Sequence, residues 1–283
     1  MSSYLVVNGV RLMVEDLGEG PAILTLHGGP GMGSRAGDVA TYGGLASEGY
    51  RIVSYDQRGN GDSDSGEPYS HAQFIADAEE TRKRLDLGRI VVAGGSYGGF
   101  LTLEYALRYP ENVAGIILRD TAASNRFGAT SKERALASGL PNITEEMMDR
   151  LFEGRVASDQ EFHDLFAAIE PLYWVGASKE DQEAHLAAIR FRHETHNYAF
   201  SINQPRFDLV SRLHEISVPA LVLVGRHDWI TPLEASEEIA ANIPDSRLVI
   251  FERSGHSPQI EEREKFLGEV RTFLKRAFAL NHA

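Results

Sequence analysis

Ile90-Val91-Val92-Ala93-Gly94-Gly95-Ser96-Tyr97-Gly98-Gly99-Phe100-Leu101-Thr102-Leu103-Glu104-Tyr105-Ala106-Leu107 carries the fold of this 283-residue chain. An apolar run fit for a buried strand meets a Gly-x-Ser-x-Gly pentapeptide and then a helical run, so Ser96 stands at the apex of a strand, sharp turn and helix. Small residues on both sides let the backbone take a strained turn that lifts a hydroxyl above a sheet. The adjoining helix start favours developing negative charge. The alternative is a glycine-rich turn that packs its serine for no chemical reason, and partners elsewhere in the chain must decide.

A nucleophilic serine needs a base and an acid to orient the base, in the chain order Ser, Asp or Glu, His on this architecture. Ala220-Leu221-Val222-Leu223-Val224 is a buried-strand run that feeds Gly225-Arg226-His227-Asp228, which puts Asp228 just beyond a strand's carboxyl end. Arg247-Leu248-Val249-Ile250-Phe251 makes a last strand, and the loop Ser254-Gly255-His256-Ser257-Pro258 can carry His256 over Ser96 as the base. Asp120, closing the strand Val113-Ala114-Gly115-Ile116-Ile117-Leu118, is the competing acid, with loop capping as its other role. Among the other histidines, His227 adjoins the acid and points elsewhere, His27 ends the strand Ala22–Leu26 and shapes its loop, and His282 belongs to the terminal tail. His27-Gly28-Gly29-Pro30-Gly31 supplies an oxyanion loop, with the amides of Gly29 and Tyr97 as donors. As a nucleotide loop, Gly29-Pro30-Gly31-Met32-Gly33 fails, because Pro30 has no N–H and no Gly-Lys-Ser/Thr follows.

His27-Gly28-Gly29-Pro30-Gly31, Tyr55-Asp56-Gln57-Arg58-Gly59 and Gly94-Gly95-Ser96-Tyr97-Gly98-Gly99 together resemble the proline iminopeptidase family of α/β hydrolases. Order and spacing match over nearly the whole chain, and only the middle is non-committal. The resemblance implies the α/β-hydrolase fold with an inserted helical cap, Ser96, Asp228 and His256 as triad, and Gly29 and Tyr97 as oxyanion donors. That family holds a peptide's free amino terminus with carboxylates, one directly after the triad acid and another on the cap, where this chain has Trp229 and Asn197. Glu194 is near enough to substitute for one of them. A buried ammonium needs paired negative charge to offset its desolvation. Two substrates therefore compete: an amino-terminal proline peptide, and a small ester, lactone or amide with Trp229 as an apolar wall. Trp229 packing beneath the Thr231-Pro232 helix start is the bland alternative. A third reading, from another class, is a ligand-sensing receptor that kept the fold and pocket, since fold alone does not decide function.

The rest of the chain agrees with an ordinary enzyme. Zero cysteines exclude disulfides, thiol catalysis and Cys-based zinc sites. A net charge of -13 opposes nucleic acid or anionic membrane as partner, which leaves a small molecule or short peptide and sets no oligomeric state. Strands alternating with helical stretches predict a mainly parallel, doubly wound α/β sheet. At the amino end, Tyr4–Val7, Asn8-Gly9 and Val10–Val14 read as a hairpin with no targeting signal, which points to the cytoplasm. Ser70 with Gln73 starts a helix running toward Leu87. The core domain is expected over 1–120 and 206–283, with the helical cap over 121–205. In the cap, Ser158-Asp159-Gln160-Glu161 is a capping box for a helix that Pro171 stops. Met147, Met148, Phe152, Phe166, Tyr173 and Trp174 either pack or line a pocket there. His193 and His196 flank Glu194 without zincin spacing, so no metal and no cofactor are expected.

Overall fold

The computed structural model describes residues 2–280, so His282 lies outside the described residues. One sheet holds β1 (Ser2–Val7), β2 (Val10–Leu17), β3 (Ala22–Leu26), β4 (Arg51–Tyr55), β5 (Ile90–Gly95), β6 (Val113–Arg119), β7 (Ala220–Gly225) and β8 (Ser246–Phe251). Their order is β1-β2-β4-β3-β5-β6-β7-β8. The hairpin β1–β2 and the β2–β4 pair are antiparallel, and every pairing beyond them is parallel. Asn8 and Gly9 turn the hairpin at φ 45° and 84°, the left-handed pair that a two-residue turn requires. β3 has β4 on one side and β5 on the other, so the loops leaving β3 and β5 open a crevice at the sheet's carboxyl edge.

The helices are α1 (Arg35–Tyr42), α2 (His71–Arg84), α3 (Tyr97–Arg108), α4 (Gly128–Ala137), α5 (Glu145–Phe152), α6 (Asp159–Ile169), α7 (Lys179–Ala188), α8 (His193–Tyr198), α9 (Leu233–Asn242), α10 (Pro258–Glu261) and α11 (Arg263–Ala279). They cover both faces of the sheet because strand side chains alternate. Ile23 and Val91 join Phe266 and Phe273 of α11 on one face. The next residues, Leu24 and Val92, join Phe74 of α2, Leu103 of α3 and Ile239 of α9 on the other. Ser70 Oγ accepts the Gln73 N–H at 3.3 Å and Ser158 Oγ the Glu161 N–H at 3.1 Å, so both helices start where their caps predict. α2 stops at Arg84, short of Leu87, because Asp86 turns to φ 50° and the Leu87 N–H folds back onto Arg82 O at 3.1 Å.

Between β6 and β7 the chain leaves the sheet and forms α4 to α8 without a named strand. The excursion is closed at its base, where the Leu209 N–H donates to Ala123 O at 2.8 Å and the Asn125 N–H to Phe207 O at 3.2 Å. It buries its own cluster, including Met148, Leu151, Phe162, Phe166 and Phe191. This apolar interior stands over the carboxyl edge of the sheet.

Candidate active site

Ser96 sits between β5 and α3 at φ 53° and ψ -125°, a strained backbone for a residue with a side chain. Surrounding bonds hold it there. Its N–H donates to Arg119 O at 2.8 Å and Asp120 O at 3.1 Å, and its carbonyl accepts from Thr121 Oγ1 at 2.7 Å. The glycines around it answer to close approach: a methyl on Gly94 would meet Gly98 O, one on Gly98 would meet Leu26 O, and one on Gly99 would meet the Thr121 side chain. Glycine is what lets strand, turn and helix close this tightly.

Asp228 follows β7 and is buried. Its Oδ1 accepts the N–H groups of Ile230 at 2.9 Å and Thr231 at 3.1 Å. Its Oδ2 accepts Thr231 Oγ1 at 2.7 Å and pairs with His256 Nδ1 at 2.8 Å. His256 is held from outside as well, since its N–H donates to Tyr173 O at 2.9 Å and the two rings meet edge to face, 5.3 Å apart. Burial pulls the imidazole pKa down, but the charge and hydrogen bond of Asp228 outweigh it and hold His256 above its ordinary value. Thr231, expected at a helix start, contributes two of these bonds instead; α9 begins two residues later, at Leu233. Asp120 is also close: its carboxylate, that of Asp228 and the His256 ring present atoms within 4.8 Å of one another.

The loop after β3 lies against the elbow. A methyl on Gly28 would come to 3.0 Å from Ser96 Cβ, and Gly29 turns at φ 59° while its carbonyl accepts the N–H groups of Met32 at 2.8 Å and Gly33 at 2.7 Å. Tyr97 follows Ser96 as the first residue of α3, with its phenol oxygen accepting from Asn203 Nδ2 at 2.7 Å. His27 shapes this loop, accepting the Gln57 N–H at Nε2 (3.0 Å) and meeting Gly28 O through Nδ1 at 2.9 Å. Arg58 forms a buried pair with Asp77, at 2.5 Å from Nε and 2.8 Å from Nη2, and also donates to Gly66 O. Its role is to knit the loop after β4 to α2.

Gly29, Ser96, Tyr97 and His256 line one cavity of about 420 Å³, roofed by Phe152, Phe162, Phe166 and Phe200. Tyr173 and Trp174 also line it, whereas Met147 and Met148 are packed in the helical cluster. The three residues expected at the substrate lie off this cavity. Trp229 is buried in the helical cluster, with its ring edge-on to Tyr173 at 5.5 Å. Asn197 clasps Val156, accepting its N–H at 3.0 Å and donating to its carbonyl at 2.7 Å. Glu194 is exposed on a separate small cavity with Asp159, Arg192 and His193. Among the described residues Asp38 of α1 is the one carboxylate on the main cavity, and burial raises its pKa. His193 and His196 turn apart: His193 Nδ1 meets Asp159 Oδ1 at 2.6 Å, while His196 points Nε2 at Leu151 O at 3.0 Å between Phe162 and Phe200, and burial pushes it down to about 4.

Residues 21–263 match the family model described as alpha/beta hydrolase fold. The chain is 34% identical to proline iminopeptidase PfmaB of Pestalotiopsis fici, covering 98% of this chain and 100% of that protein. It is 30% identical to a proline iminopeptidase of Saccharolobus solfataricus, covering 92% of this chain and 86% of that one. An esterase structure from Exiguobacterium antarcticum superposes with a TM-score of 0.80 at 28% identity, covering 97% of this chain and 100% of the esterase. With the sheet order, the elbow and these relatives in agreement, the chain belongs to the alpha/beta hydrolase fold family and is a hydrolase similar to the proline iminopeptidases.

Proposed function

We propose that this hydrolase cleaves a small ester, lactone or amide by acyl transfer through Ser96, Asp228 and His256. The observation that carries the reading is the 2.8 Å bond from His256 Nδ1 to a four-bonded Asp228, on an imidazole that shares one cavity with a strained Ser96. Ser96 Oγ attacks the carbonyl carbon as its proton passes to His256 Nε2. The tetrahedral oxyanion is held by the amides of Gly29 and Tyr97, and the leaving group departs with the proton from His256. Water, deprotonated by His256, then releases the acid from Ser96. The helical excursion serves as the cap that screens these steps from solvent.

A true prolyl aminopeptidase is the second reading, favoured by the names of the relatives. The cavity opposes it: the described lining offers aromatic surface and one carboxylate, of raised pKa, where an ammonium calls for paired negative charge. A panel of acyl esters, lactones and prolyl anilides, each amine tested free and N-acetylated, separates the two. The expected kcat/KM ratio between free and acetylated forms is within about tenfold, corresponding to about 1.4 kcal/mol. A hundredfold preference for the free amine would establish the aminopeptidase. A fluorophosphonate should label Ser96 alone, and a folded protein that resists labelling is instead a receptor.

A further inference from the structure

We propose that Asp120 is a positioning residue of the acid–base pair, a second carboxylate whose charge acts on His256 beside that of Asp228. The inference rests on His256 being the base. Asp120 directly follows β6 at φ 47° and is fully buried. Its main-chain carbonyl accepts the N–H of Ser96 at 3.1 Å, and its Oδ1 accepts the N–H of Gly225 at 2.9 Å, at the end of the strand that delivers Asp228. One residue thus ties the turn of the nucleophile to the loop of the acid.

That tie does not require a charge. An asparagine oxygen accepts the Gly225 N–H equally well, and asparagine tolerates a left-handed backbone as well as aspartate does. The Gly225 bond therefore does not explain a carboxyl at this position; its charge serves Arg119 and the groups beyond it. What the carboxyl adds is a titrating group within 4.8 Å of the Asp228 carboxylate and the His256 ring. The charged groups facing it are Asp228 from the loop after β7, His256 from the loop after β8, and Arg119, whose Nη1 lies 3.5 Å from its Oδ2. Burial and the neighbouring Asp228 push Asp120 up to about 7. Asp120 thus gains its charge over the pH range in which an imidazole loses its own. As Asp120 ionises it favours the imidazolium, so His256 surrenders its proton at a higher pH than Asp228 alone would set.

The test compares pH profiles of kcat/KM on an ester substrate. Asp120→Asn keeps an acceptor for Gly225 and removes the charge; the acid limb should move to lower pH by roughly one unit. Asp120→Gly, which relieves the positive φ, is the second variant should the first not fold, and its limb should move the same way. Asp228→Asn should leave residual turnover that falls at least a further tenfold in Asp228→Asn/Asp120→Asn. An unmoved acid limb in whichever single variant folds, or a double variant no slower than Asp228→Asn, overturns the proposal. Full activity in Asp228→Asn would instead unseat the triad assigned above, a separate result.

Discussion

Asp228 and Trp229 are adjacent in the chain and belong to different physical regimes. Asp228, at the sheet edge, spends both oxygens on Ile230, Thr231 and His256. Trp229 enters the apolar interior of the helical excursion, where its indole nitrogen is buried without a hydrogen-bond partner among the described residues. At the edge, directional bonds and glycine contacts fix each atom, so identity matters there. In the excursion, contact between apolar surfaces holds the structure, and shape can be conserved by more than one side chain.

The contrast is open to direct attack. Ser96→Ala should lower turnover by roughly four to six orders of magnitude while thermal unfolding stays near wild type, and retention of a tenth of the activity would place the nucleophile elsewhere. Gly98→Ala tests the edge without touching a reacting group: its methyl would run into Leu26 O, so a loss of about 3 kcal/mol by urea unfolding is expected, together with loss of activity. A Gly98→Ala protein as stable as wild type would show that the edge yields as readily as the excursion.

Acidification attacks the same edge reversibly. The proposed base must be neutral, and His256 is held above its ordinary imidazole value, so its protonated, inactive form persists to a higher pH than a free imidazole would allow. Below that midpoint kcat/KM should fall about tenfold per pH unit. A flat profile through the imidazole range would remove His256 from the role. In the helical interior, Phe162→Leu should cost less than about 1.5 kcal/mol of stability and shift KM more than kcat. The smallest effect belongs to exposed Glu194: Glu194→Gln should leave kcat/KM within about twofold on every substrate of the panel. Selective loss of free-amine substrates in that variant would mean that the cap closes further over substrate than its present packing indicates.

Strands, the elbow and the order of Ser96, Asp228 and His256 were legible because their signals are local. Apolar runs of strand length, Gly-x-Ser-x-Gly at a strand-to-helix turn and Asn8-Gly9 between alternating residues each constrain a few consecutive dihedrals. Only the tertiary structure decided that Thr231 donates to Asp228, that Arg58 pairs with Asp77, and that Asp120 stands beside His256. It also decided that Trp229, Asn197 and Glu194 are not among the residues lining the cavity on which Phe162 and Phe166 converge. The physical reason is the distance over which each choice is made. Backbone conformation follows from neighbours in the chain, whereas the direction of a loop or helix side chain follows from packing against residues as remote as Asp120 is from Gly225.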